Sequence, residues 1–179
     1  VREGIRKLET MGLLRSQAGG GVFQERLSVS RFFQLKRRIP LCDFIELNDT
    51  DLKNLIELRF VLETAALRST GGEINEQATH RLRESCRRLE ENLDDLQEFM
   101  AEDLEFHRTI IELGENNILT LVFDLIQDLY CQQFRITDHG SKQVRTEALR
   151  YHREITEALI AGDIDKAVGG ISDHLRQVE

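Results

Sequence analysis

From Asn48 to its end the chain places apolar residues three and four positions apart, the spacing that puts one face of an α-helix toward a core. Leu52, Leu55, Arg59, Leu62 and Ala66 predict a helix from the caps Asn48 and Asp49 to about Arg68, stopped by Gly71 and Gly72. Asn75 can cap the next, whose stripe runs Leu82, Cys86, Leu89, Leu93, Leu96. Further helices are predicted over 98–113, from Asn116 to about Ile136, from Thr146 to Ala161 and from Ile164 to Val178. Gly114, a loop at Asp138–His139–Gly140, and the pair Gly162–Asp163 separate them. Such a series folds as an antiparallel helical bundle.

The N-terminal segment follows another pattern. Val1, Ile5 and Leu8 share one helical stripe and Arg2, Arg6 and Glu9 another, ending at Gly12. Leu13–Gln17 and Val22–Gln24 then read as two short strands joined by a tight turn at Gly19–Gly21. A helix followed by a small hairpin is the back half of a winged helix-turn-helix. The sequence starts without Met and inside this helix, and is expected to be a piece of a longer protein whose earlier part supplies the front of the motif. Val29–Arg38 is expected to form a connecting helix, with Pro40 in a linker.

Charge sharpens this division. Residues 1–38 carry nine Lys/Arg and three Asp/Glu, whereas 39–179 carry 15 and 29. A basic head on an acidic body suggests a polyanion-binding end joined to a part that binds something else, though chance clustering could produce the same asymmetry. With 179 residues, 40% apolar, no Trp and one Pro, the composition favours a helical globular protein. No apolar run approaches the ~18 residues needed to cross a bilayer, and no secretory pattern opens the chain, so no membrane association and a cytoplasmic location are expected. Cys42, Cys86 and Cys131 are odd in number, far apart and without CxxC spacing. They are expected to be buried apolar residues rather than disulfides or zinc ligands.

Three of the five histidines fall on inward stripes. His107 shares one with Met100, Asp103 and Ile110, so Asp103 and His107 stack one turn apart. His152 lies with Leu149, Ile155 and Leu159, and His174 with Ala167 and Ile171. His80 and His139 are expected to be solvated. A single inward histidine is ordinarily a hydrogen-bonded core residue. Three imidazoles and a carboxylate buried in one small bundle relieve their separate desolvation costs together if they converge on one divalent cation. Four protein ligands leave open positions on a six-coordinate ion. Arg59 is a similar anomaly: it is either in a buried salt bridge, with Glu63 or another acid, or a clamp for a ligand carboxylate.

These segments resemble a known family. VREGIRKLETMGLLRSQAGGGVFQ is similar to the end of the DNA-binding domain of GntR-type bacterial transcription regulators. DLKNLIELRFVLETAAL, DLEFHRTIIELGENNIL and HREITEALIAGDIDKAVGGISDH resemble the FCD ligand-binding domain of the FadR subfamily. The resemblance implies Asp103, His107, His152 and His174 as metal ligands, and a small organic acid effector touching the metal and Arg59, with Asn116 nearby. It also implies a homodimer on operator DNA, with Arg2 and, more weakly, Arg6 where the recognition helix meets DNA and Gly19 at the wing tip. Gly4 and Gly20 depart from the family pattern at that end.

The expected fold is all-α: an antiparallel FCD-like bundle of six to seven helices, preceded by the C-terminal part of a winged helix-turn-helix with a small β-hairpin. The expected division is 1–25 partial winged helix, 26–47 linker and connecting helix, and 48–179 effector and metal domain. The expected function is ligand-responsive transcription regulation, as a repressor and not an enzyme. The expected cofactor is a divalent metal, zinc first, with nickel, manganese or iron as alternatives. A metal-dependent hydrolase and a bundle with a purely structural metal are the competing readings.

Overall fold

The computed structural model describes residues 2–10, 13–17, 19–24, 46–136 and 141–177, the side chains of 2, 128 and 131–136 aside. The predicted connecting helix, Pro40, Cys42 and the 138–140 loop lie outside them, as does the Cys131 side chain. The chain divides into two compact units, Val1–Pro40 and Leu41–Glu179.

In the first unit, α1 (Arg2–Thr10) leads into an antiparallel hairpin of β1 (Leu14–Gln17) and β2 (Gly21–Gln24), with Leu14 opposite Gln24 and Gln17 opposite Gly21. Gly19 and Gly21 take left-handed φ values of 73° and 96°, which lets so short a turn reverse the chain. Glu9 accepts the Ser16 backbone N–H at 2.7 Å and so ties α1 to the hairpin.

The second unit contains six described helices: α2 (Asp49–Ser69), α3 (Glu76–Glu91), α4 (Leu96–Leu113), α5 (Asn117–Ile136), α6 (Lys142–Ile160) and α7 (Ile164–Arg176). Their starts follow local chemistry. Asn48 closes a capping box with Asp51, and Asn75, Asp95 and Asp163 accept backbone N–H groups at the heads of α3, α4 and α7. The predicted Thr146 start of α6 is corrected to Lys142, because Ser141 caps it through Val144 N–H.

Two apolar clusters share α2 and α4. One unites Leu67, Leu82, Leu89, Phe106, Ile110, Leu149, Ile155 and Ile171 across α2, α3, α4, α6 and α7. The other joins Leu55, Leu62, Ala66, Ile111, Phe123 and Tyr130 across α2, α4 and α5. Gly114 lets the ends of α2 and α4 close on each other, since a Cβ there would stand 2.8 Å from Ala66 Cα. Cys86 is buried as expected, against Thr156. No helix among the described residues is long and apolar enough to cross a membrane.

Candidate metal centre

The two helices shared by both clusters also carry most of the buried charge. Arg59 and Glu63 occupy successive turns of α2, and Asp103 and His107 successive turns of α4. His152 from α6 and His174 from α7 complete the group, and all six are buried. Each sits where the helical period points it inward, so burial follows from position. Its energetic cost demands partners.

The partners form a connected network. Arg59 Nε donates to Glu63 Oε1 at 2.9 Å and Nη2 to Asp103 Oδ2 at 3.3 Å. The salt-bridge alternative for Arg59 is thus present, with both acids. The other oxygen of Glu63, Oε2, lies 2.7 Å from His107 Nδ1. A carboxylate there accepts the Nδ1–H, which fixes the tautomer and turns the Nε2 lone pair away from Glu63. His107 Nε2 is 3.2 Å from His152 Nε2 and 3.2 Å from His174 Nε2. Asp103 Oδ1 is 3.3 Å from His152 Nε2, and 3.8 and 3.9 Å from those of His107 and His174.

The four potential ligand atoms of Asp103, His107, His152 and His174 lie within 4.8 Å of one another. Two ligands ~2.1 Å from one ion are about 3.0 Å apart at a right angle and about 3.4 Å apart at the tetrahedral angle. The shorter separations match that spacing, so this buried Asp/His3 group could hold a metal ion. The donor set, imidazole with carboxylate, suits zinc, nickel, manganese or iron. His152 Nδ1 is buried without a hydrogen-bond partner among the described residues, so the polar contacts of that ring are all on its Nε2 side.

Electrostatics favour the neutral, ligating form of His107 and His152. Burial first, then the Arg59 cation, holds His107 well below the ordinary histidine range, with Asp103 opposing. Burial, then His107 and Arg59, does the same to His152. Burial pushes Glu63 up to about 7, against the pull of Arg59. That stored cost makes Glu63 a strong acceptor for the His107 Nδ1–H.

Asn116 is exposed, and its Oδ1 accepts Ile118 and Leu119 N–H at the head of α5. Arg6 is exposed on α1, Gly19 sits in the turn of the hairpin, and the Arg2 side chain lies outside the described residues. The Glu63–His107 bond was not predicted, although Glu63 follows Leu62 on the inward face of α2. A second unpredicted acid, Asp124 on α5, is buried against Arg108 at 3.0 Å.

Comparison with known proteins agrees with this architecture. Residues 54–177 match the FCD domain. Over 179 residues, 99% of the chain and 71% of the relative, the chain is 28% identical to an uncharacterized HTH-type transcriptional regulator, YcbG, of Bacillus subtilis (strain 168). Its fold is similar to that of E. coli McbR/YncC, at 15% identity and TM-score 0.63 over 99% of this chain and 80% of that one. It is also similar to that of Streptococcus agalactiae GntR, at 20% identity and TM-score 0.61 over 99% and 78%. With the match covering most of its length, the chain belongs to the FCD domain family.

Proposed function

We propose that Asp103, His107, His152 and His174 hold one divalent metal ion, zinc before nickel, manganese or iron, and that a small organic acid binds beside it and Arg59. In this reading the occupied centre sets how tightly the N-terminal unit grips operator DNA, and the protein acts as a repressor and a homodimer. The observation that carries it is the convergence of four buried ligand atoms, one of them oriented by Glu63. When bound, the ion supplies open coordination positions for a carboxylate oxygen.

Charge supports an anionic effector. With Glu63 and Asp103 both ionised, Arg59 offsets one of the two buried carboxylates, and burial disfavours a charge on His107 and His152. A divalent ion then leaves the centre with one excess positive charge, which a monocarboxylate balances inside a low-dielectric core. For Asn116 the proposed part is indirect: it holds the head of α5, the helix that brings Tyr130 to Arg59.

For the DNA side we assign residues 1–25 to the winged helix, 26–47 to the linker and 48–179 to the sensing domain. The exposed Arg6, with Arg2, would meet the major groove from α1, and the Gly19 turn would lie against the backbone or groove edge. A coupling of ~1–3 kcal/mol between effector and DNA is enough to change operator occupancy.

Gel shifts on DNA from the gene's own upstream region, with zinc and acids such as acetate or lactate added singly and together, test this. The expected result is a change in DNA affinity that requires both, and that Asp103→Ala with His107→Ala removes. An unchanged response in the metal-free variant overturns the reading.

A further inference from the structure

Arg59 cannot offer an incoming acid the whole of its guanidinium. Nε is engaged by Glu63 and Nη2 by Asp103, so among its three nitrogens only Nη1 makes no hydrogen bond among the described residues. A bidentate clamp needs two adjacent N–H donors. An acid at this site meets a guanidinium already shared with two carboxylates, so a further buried donor nearby would strengthen its hold.

Tyr130 on α5 packs its ring against that guanidinium. Arg59 Cζ lies 5.2 Å from the centroid of its ring. The residue is completely buried, yet its hydroxyl makes no hydrogen bond among the described residues. The buried apolar side chains clustered with it, Leu55, Leu62, Phe123 and Leu129, carry no group that could accept from the hydroxyl. Buried hydroxyls in native proteins are nearly always satisfied, and an orphan points to a missing water or ligand. Burial also keeps the phenol protonated, with Arg59 only partly opposing, so it is a donor at any physiological pH.

We propose that the Tyr130 hydroxyl is a further donor to the effector's carboxylate, acting beside Arg59 Nη1. This rests on the reading of the centre as acid-binding. It also places the acid against the apolar wall of Phe123 and Leu129, which favours a compact acid with an aliphatic substituent over a polyanion.

Calorimetry of the zinc-loaded protein with acetate and with lactate tests it, comparing the wild type with Tyr130→Phe. Loss of a hydrogen bond to a charged group is expected to weaken binding roughly tenfold or more. Acid should also perturb the tyrosine near-UV band of the wild type, a signal absent from Tyr130→Phe. Without acid, Tyr130→Phe should melt no lower than the wild type, because it removes a hydroxyl with no partner; a lower midpoint would show that the hydroxyl is already satisfied and overturn the inference. Equal affinities in the two proteins overturn the role of Tyr130 and leave acid binding standing. If neither acid binds the zinc-loaded wild type, the acid reading fails and this inference with it.

Discussion

Glu63 and Glu84 are both helical glutamates with arginines about one turn away, and the fold drives them in opposite directions. Glu84, on the solvated face of α3, is bonded by Arg87 and Arg88, and its carboxylate is held down to about 2, chiefly by those hydrogen bonds. Glu63, buried in α2 with Arg59 at 2.9 Å, is pushed up to about 7 because desolvation outweighs the same kind of partner. The pairing chemistry is shared, and water decides the outcome. Around Glu84 ion pairs decorate a surface. Around Glu63 they form a strained polar centre whose members are worth keeping only if they position something, which is the physical ground for reading it as a binding site.

The sharpest way to break this contrast is to remove each acid. Glu63→Ala leaves Arg59 with one carboxylate and His107 without an orienting acceptor, and should cost about 3–5 kcal/mol in chemical denaturation. If the fold tolerates Glu63→Gln, metal affinity should fall ~10–100-fold through the lost orientation of His107. A Glu63→Ala protein as stable as the wild type would mean that the buried network is not energetically coupled.

Acid sharpens it further. The folded-state values of His107 and His152 lie below the unfolded value of ~6.5, so the unfolded chain takes up their protons first as pH falls. Metal-free protein should therefore lose stability below about pH 6.5. Glu63, raised when folded, opposes this between its unfolded value of ~4.3 and about 7, because there the folded state holds the extra proton. Two histidines against one glutamate leave a net loss of roughly 1.4 kcal/mol per pH unit. Glu63→Gln removes the opposing titration and should steepen the acid limb. Flat denaturation midpoints from pH 6.5 to 5.5 would contradict the assignment. At the surface, Glu84→Ala should leave the thermal midpoint essentially unchanged, since water and the remaining acids replace its bonds.

Much of this was legible in the sequence wherever the cause is local. Asn48, Asn75 and Asp163 announce their helices because a cap acts on backbone N–H groups two or three residues away. Ser141 gives no such signal in the pattern, because Lys142 and Gln143 open α6 without an apolar residue to start the period. The four metal-ligand candidates could be read because each interrupts an apolar stripe. The bond from Glu63 to His107 spans 44 residues and two helices, and no periodicity encodes it. Tyr130 was hidden differently: α5 is apolar around much of its circumference, with Leu119, Val122, Phe123, Ile126 and Leu129, so the pattern cannot say where one phenol points.

The central claim is that one cation belongs among four side chains drawn from α4, α6 and α7. Native mass spectrometry after zinc loading and buffer exchange tests it most directly. The account predicts one tightly held zinc per wild-type chain and none in Asp103→Ala with His107→Ala, both proteins remaining helical by circular dichroism. Equal zinc retention by the two proteins, or none by the wild type, would contradict it.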